Sequence, residues 1–320
     1  MELRPKLRHK KLVQRWFFFI ALIILTFSAY GLYWNFLAGK LLNAIEVWTE
    51  ARRAEGYKIS SGPVKFGGFP FSLYVSITDP VFFIYNEKQS WKWSGPKIRI
   101  FTRPWRPKKI EFRASGHHQI TLKSQIGSRG LDLKTGNLSV FLEWTDLLAL
   151  PMAGQVNMKE ISYSFMPIVG VGKNIEIISF RVEAIVETPK SINSIAMAKW
   201  RNQGGILEVK DIKIQHGPTK IEGAGTLSIN ESLQPLGAFS LKVRGYMKLL
   251  DDLESSKLIN QNDARIAMTV LSMMSGGNDS EIKGKGGNQI IIALTIQDGY
   301  FYVGPFAVWR IPNINWSNYE

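Results

Sequence analysis

The sequence predicts a mainly β protein of the α+β class. One N-terminal transmembrane helix precedes a large antiparallel sheet, curled into a groove or half-barrel and capped by short helices. Three observations predict it. Residues 16–39 carry no charge. From Tyr57 onward, apolar and polar residues alternate with period two in about a dozen short runs, as half-buried strands do. Two later stretches, Tyr246–Lys257 and Asp263–Ser275, return to helical spacing.

The uncharged stretch begins WFFFIALIILTFSAYGLYW at Trp16. At helical rise it is long enough to cross a hydrocarbon core about 30 Å thick. Arg4, Lys6, Arg8, Lys10, Lys11 and Arg15 precede it, opposed only by Glu2. That asymmetry holds residues 1–15 in the cytoplasm as a basic tail and sends residues 40–320 across. The anchor is built from Trp16, Phe17, Ile20, Ile24, Tyr33 and Trp34, with Trp16, Tyr30, Tyr33 and Trp34 placed as interfacial aromatics. A cleaved signal peptide has a shorter apolar core and a small-x-small cleavage site. Here the run is longer and its far end is aromatic, so an uncleaved anchor is expected. The polybasic flank argues against a buried core helix.

With 45% hydrophobic and 21% charged residues, the translocated part can bury a real core. The absence of cysteine excludes disulfides, thiolate metal sites and cysteine nucleophiles. Of the net charge of +14, residues 1–15 supply +5, which leaves +9 beyond the anchor. A basic exported domain is drawn to anionic head groups or an acidic partner. Nucleic acid is not expected on that side of a membrane.

Leu41, Leu42, Ile45, Trp48 and Ala51 recur at spacings of three and four, so Leu41–Ala54 reads as an amphipathic helix continuing the span, with Gly56 ending it. The alternating runs follow. They are Phe71–Thr78, Lys97–Ile100, Ile110–Arg113, Ile120–Lys123, Leu138–Leu142, Ile161–Phe165 and Ile175–Val186. After them come Ile206–Val209, Ile212–Ile214, Thr226–Ile229, Phe239–Val243, Gln289–Ile296 and Tyr300–Phe306. Turns are expected at Asp79-Pro80, Gly95-Pro96, Thr135-Gly136-Asn137, His216-Gly217-Pro218 and Asp298-Gly299. The Asp-Gly pair between two apolar alternating runs marks a tight hairpin. The two helical stretches predict a helical hairpin on the sheet, stopped by Gly276-Gly277, and Gly284–Gly287 reads as a flexible connector. A soft division near 191–203 is the one candidate boundary within the β-rich part.

At Gly67-Gly68-Phe69-Pro70-Phe71 the chain resembles the bacterial domain of unknown function 2125, typical of Gram-negative alphaproteobacterial envelopes. The same order of motifs continues with a strand like GAFSLKVRG at Gly237–Gly245, a leucine-rich helix, and LTIQDGYFYVGPF at Leu294–Phe306. The resemblance covers nearly the whole chain and implies no activity. It implies an inner-membrane protein with its bulk in the periplasm, similar in general look to AsmA-like β-rich proteins linked to envelope lipid handling. Read from the residues alone, Gly67 and Gly68 permit a bend and Pro70 suits an edge or first turn. Phe69 and Phe71 are expected to bury apolar area beside it, and Gly299 to supply a positive φ after Asp298.

Chemistry-bearing patterns are sparse. His117-His118 would point to opposite strand faces and cannot easily share a metal; both read as surface histidines after a turn. His216 reads as a turn residue. Asp251, Asp252 and Glu254 read as the solvated face of a helix. Val169–Lys173 fails as a phosphate loop, and no nucleophile elbow or zinc-protease pattern occurs. The expectation is a non-enzymatic protein without cofactor or metal. Arg103, Trp105, Arg106, Lys108 and Lys109 form a basic aromatic loop suited to anionic head groups. Because the strands offer more apolar surface than the helices cover, the sheet is expected to hold a phospholipid, a lipopolysaccharide-type lipid or another apolar ligand. The alternative is a scaffold with a packed core that binds other envelope proteins through its surface or a strand edge.

Overall fold

The computed structural model describes residues 6–85, 89–124, 127–145, 149–166, 170–171, 175–255, 261–274 and 289–316. Helix α1 (Lys6–Ala54) runs without a break from the basic tail through the apolar stretch and the amphipathic segment. Uncharged side chains and good helix formers leave nothing to stop it before Gly56, whose φ is 91°.

Strands β1 (Lys58–Ser60), β2 (Val64–Gly67), β3 (Leu73–Ile77), β4 (Val81–Tyr85), β5 (Gln89–Ser94), β6 (Ile98–Arg103), β7 (Arg106–Arg113), β8 (Gly116–Ser124) and β9 (Gly127–Glu143) form the first part of the sheet. They are followed by β10 (Ala153–Met166), β11 (Gly170–Val171) and β12 (Ile175–Ala184). After α2 (Ser194–Asn202) come β13 (Leu207–His216), β14 (Thr219–Ile229) and β15 (Pro235–Arg244). Helices α3 (Tyr246–Ser255) and α4 (Gln261–Met274) precede β16 (Gln289–Gln297), β17 (Tyr300–Val303) and β18 (Phe306–Arg310). All pair antiparallel in one sheet, and its margins at β1–β2 and β18 do not pair with each other. The sheet is therefore open; from β12 to β18 chain neighbours are ladder neighbours, whereas in the first part β1 pairs with β4, β3 with β6, β5 with β8 and β7 with β9.

Several residues expected as turns do not reverse the chain. Asp79-Pro80 separates β3 from β4 and Gly95-Pro96 separates β5 from β6, yet each pair of strands continues along the same hairpin arm. The breaks lie side by side: Gly62 N–H donates to Thr78 O (2.8 Å), Gly95 N–H to Pro80 O (3.1 Å) and Ala114 N–H to Leu138 O (3.0 Å). Thr135-Gly136-Asn137 lies inside the uninterrupted strand β9. Gly136 there faces Glu160, whose φ is 54°, and a Cβ at Gly136 would fall 2.2 Å from Glu160 Oε2. Proline and glycine thus mark a transverse line of ladder breaks, because ladder partners on both sides hold the chain extended through it. The line divides the first part of the sheet into two arms, β1-β4-β5-β8 and β2-β3-β6-β7, both carried by β9.

Other expectations hold. Asp298 and Gly299 both have positive φ (52° and 75°) and join β16 to β17 in a two-residue hairpin. Gly217-Pro218 joins β13 to β14 in the same way. The two helical stretches form α3 and α4, packed on each other and on β14 and β16. Ile206–Val209 and Ile212–Ile214 merge into the single strand β13 across a bulge. The unforeseen element is α2, which sits in residues 191–203 as a crossover between the paired strands β12 and β13 and is capped by the Asn193 side chain on Ala196 N–H (2.8 Å). Gly276-Gly277, Gly284–Gly287 and most of Val169–Lys173 lie outside the described residues.

Candidate functional site: an apolar sheet face and the junction of helix and sheet

Cross-strand register assembles the first site. One row of ladder partners runs Val75, Ile100, Phe112, Val140, Val156, Phe180, Ile212, Gly223, Leu241, Ile292. The adjacent row on the same face runs Leu73, Thr102, Ile110, Leu142, Gly154, Val182, Val209, Gly225, Phe239, Leu294, Val303. The row beyond Val75 points the other way: Ser76, Arg99, Arg113, Ser139, Asn157, Ser179, Lys213, Glu222, Lys242. So does the row between the two apolar ones, which runs Tyr74, Phe101, Glu111, Phe141, Gln155, Arg181, Asp211. Period-two side-chain geometry makes one face of the sheet apolar and the other mainly polar over nine or more strands, with Tyr74, Phe101 and Phe141 as aromatic exceptions on the second. On that face Ser179 Oγ donates to Asn157 Oδ1 (2.9 Å) and the Arg113 guanidinium lies 4.5 Å from the Phe101 ring centroid, whereas the buried Ser76 Oγ has no hydrogen-bond partner.

Among the described residues, helices pack on the flanks of the apolar face. On one flank α1 packs Trp34, Leu37, Ala38 and Leu41 around Leu73. On the other, Tyr246 and Leu271 of α3 and α4 cover Ile221, Leu241, Val243, Ile290 and Ile292. Between them Ile110, Phe112, Val140, Leu142, Val156, Phe180, Val182 and Ile212 are half-buried, and the principal packing contacts of the described helices fall elsewhere, on β1, β3, β14 and β16. Where α1 ends, a cleft of ≈380 Å³ opens between helix and sheet, lined by Trp48, Arg52, Tyr57, Phe82, Ile84 and Trp91. Arg52 binds Glu55 through Nη2 (2.5 Å), but its buried Nε has no hydrogen-bond partner.

The second site is the junction of α1 with the sheet. Every residue of α1 from Gln14 to Ala29 is exposed, including Trp16, Phe17, Ile20 and Ile24. From Tyr30 onward one helical face meets the sheet. The Tyr30 hydroxyl donates to Pro70 O, the Tyr33 hydroxyl to Pro104 O (2.8 Å) and Trp34 Nε1 to Ser72 O (2.8 Å). Trp34, expected among the interfacial aromatics, is instead only 5% exposed and stands edge-on to Phe69 at 5.7 Å. Tyr33 is partly exposed and is likewise tied to the sheet.

The Gly-Phe-Pro-Phe motif is the turn that receives the helix. Gly68 has φ 105°, and a Cβ there would fall 2.8 Å from Ser72 O, so this turn requires glycine. Phe69 and Phe71 do not bury as expected: they are 51% and 76% exposed, because the turn is spent on meeting α1 rather than on entering the core. The basic aromatic stretch is not a loop beyond Pro104-Trp105, since Arg106 already begins β7. Trp105 is 55% exposed. Lys108 Nζ donates to Thr145 O and Lys109 pairs with Glu143 (3.1 Å), whereas Arg103 and Arg106 face each other in the ladder and have no ion-pair partner among the described residues.

The histidines separate. His117 lies 3.5 Å from Asp132 on the exposed side. His118, expected at the surface, is 4% exposed beside Trp93 because the Ser115-Gly116 break turns it onto the covered side of β8. Its Nε2 meets Ala114 O at 2.8 Å. Burial pushes its pKa below the ordinary imidazole value, against the raising effect of that hydrogen bond, with His117 adding a smaller downward push. Asp251 and Glu254 lie on α3, remote from any clustered histidine; no group of metal-ligating side chains occurs among the described residues.

A long N-terminal apolar helix clasped to an open, two-faced antiparallel sheet defines an anchor-like β-platform protein. The chain belongs to the family described as "Uncharacterized protein conserved in bacteria (DUF2125)", whose model matches residues 34–147 and 166–312. The matched region begins at Trp34 and includes Gly68-Phe69-Pro70-Phe71, Asp298 and Gly299. No curated protein and no solved structure matches the chain.

Proposed function

We propose that this is a non-enzymatic protein of the bacterial cell envelope, anchored in the inner membrane by α1 with its sheet in the periplasm, and that it holds the acyl chains of a lipid against the apolar sheet face. The carrying observation is the pair of apolar cross-strand rows, left half-buried between the helices on either flank. Large contiguous apolar surface on a water-facing domain is costly unless something occupies it, at about 25 cal/mol per Å². The cleft at the end of α1 adds a polar handle, since the unpartnered Arg52 Nε suits an anionic oxygen beside an apolar wall. The basic residues ahead of Trp16 support the orientation.

The test uses a phospholipid with a photoactivatable acyl chain, incorporated into membranes that contain the full protein. Crosslinks mapped by mass spectrometry are expected on β10, β12 and β13, and to be lost in the Phe180→Asp, Val156→Asp double variant. Crosslinks confined to residues 16–29 of α1 would refute the proposal, because they report only lipid surrounding the anchor. A scaffold reading draws on β18, whose outer edge pairs with none of the described strands and whose Phe306, Val308 and Trp309 are exposed. Added strands favour such an edge. Protein crosslinks at Trp309, with none to lipid on β10–β13, would establish it instead.

A further inference from the structure

The side chains around the junction of helix and sheet are exposed in a way that the groove does not explain. The exposed apolar run of α1 ends at Ala29, and three hydrogen bonds from Tyr30, Tyr33 and Trp34 tie the next helical turn to the β2–β3 turn and the β6–β7 turn. At about 1.5 Å per residue, Arg15 and Tyr33 stand ~27 Å apart along α1, close to the ~30 Å of a hydrocarbon core. If α1 spans the bilayer as proposed above, both turns are therefore held at the level of its head groups.

What these turns present fits that level. Phe71, Phe69 and Trp105 are among the exposed large apolar side chains, Phe69 with one side against Tyr30 and Trp34. Beside Trp105, Arg103 and Arg106 are direct cross-strand partners. Two like charges opposite each other in a ladder repel unless an anion lies against both. The neighbouring cations do have partners: Lys109 pairs with Glu143, Arg113 with Glu111, and Lys108 with Thr145 O. Arg103 and Arg106 have no ion-pair partner among the described residues.

We infer that the β2–β3 and β6–β7 turns form a second membrane contact, in which Phe69, Phe71 and Trp105 enter the interface and Arg103 with Arg106 holds a lipid phosphate. The occupant is the anionic surface of the bilayer that α1 crosses. Aromatic rings sit at the head-group boundary, and a guanidinium pair binds phosphate oxygens with charge-assisted hydrogen bonds. Together with the helix this contact gives the sheet a fixed footing rather than a free tether.

The chain has no cysteine, so single labels are unambiguous. Full-length protein carrying Phe71→Cys, Trp105→Cys, Ile24→Cys or Ser128→Cys, each with an environment-sensitive dye, is placed in nanodiscs of phosphatidylcholine alone or mixed with phosphatidylglycerol. Iodide quenching is expected to be several-fold weaker at 71 and 105 than at 128, which lies beside the turn at the opposite end of the sheet, and weaker still with phosphatidylglycerol. The Arg103→Glu, Arg106→Glu double variant should abolish the phosphatidylglycerol dependence at 105 while the label at 24 stays shielded. Labels at 71 and 105 quenched as freely as 128, with 24 shielded, overturn this inference and leave the anchor intact. A freely quenched label at 24 overturns the anchor and this contact together. Shielding found only in native membranes assigns the surface to a protein partner and overturns the lipid assignment.

Discussion

Replacing Trp34 with alanine separates a docked helix from a mere membrane tether. The indole is 5% exposed, its N–H donates to Ser72 O at 2.8 Å, and its ring packs on Phe69 and Phe66. Truncating a buried tryptophan costs about 3–5 kcal/mol, and the lower end applies here because the junction lies at the margin of the sheet and can partly collapse. For a domain of this size each kcal/mol shifts the melting temperature by roughly 2–4 °C, so a fall of about 6–12 °C is expected. Trp34→Phe keeps most of the apolar contact and loses the hydrogen bond, at about 1 kcal/mol, so its melt should fall less than that of Trp34→Ala. The assay is near-ultraviolet circular dichroism of the full chain in mild detergent on heating, with limited proteolysis reporting cleavage in residues 55–63 as the helix detaches. An unchanged melt for Trp34→Ala would refute the docking argument and restore Trp34 as an interfacial anchor.

Further outcomes follow from the same geometry. Gly68→Ala must adopt φ 105° and place its Cβ 2.8 Å from Ser72 O, and it should cost at least ~1–2 kcal/mol in the same melt. Gly31→Ala, with nothing within 4 Å of its Cβ on the helix, should be neutral or mildly stabilising, and equal effects at both positions would contradict the turn's role. Burial holds His118 neutral below the ordinary imidazole value. The unfolded chain therefore takes up a proton first on acidification, and stability present above about pH 6.5 is lost as pH falls through the depressed native value. Unfolding midpoints measured between about pH 8 and pH 5 should drop for the natural protein and flatten for His118→Gln, which cannot titrate; parallel curves would disprove the assignment.

Much of this structure is legible in local chemistry. The uncharged run from Trp16 and its basic flank specify a long apolar helix, and alternation in segments such as Phe239–Val243 and Gln289–Ile296 specifies both the strands and the face each residue takes. Asp298-Gly299 names its hairpin, since few other pairs accept two positive φ values. The helix-spaced leucines of Tyr246–Lys257 likewise name α3.

The rest is non-local. Asp79-Pro80, Gly95-Pro96 and Thr135-Gly136 carry the same chemistry as true turns, since each interrupts a ladder. Whether the chain then reverses or continues is decided by partners tens of residues away, and here those partners hold it extended. Trp34 and Phe71 show the same limit from opposite sides. An aromatic at the end of an apolar helix and an aromatic at a strand entry look like an anchor and a core residue. The hydrogen bonds from Tyr30, Tyr33 and Trp34 to two distant turns exchange those roles, burying the tryptophan and exposing the phenylalanine. By itself the sequence determined the helix, the strands and the two-faced sheet, because periodicity is a property of neighbours. Only the tertiary structure decided where the helix stops being free and which side chains remain exposed beside it, because those depend on contacts between segments tens of residues apart.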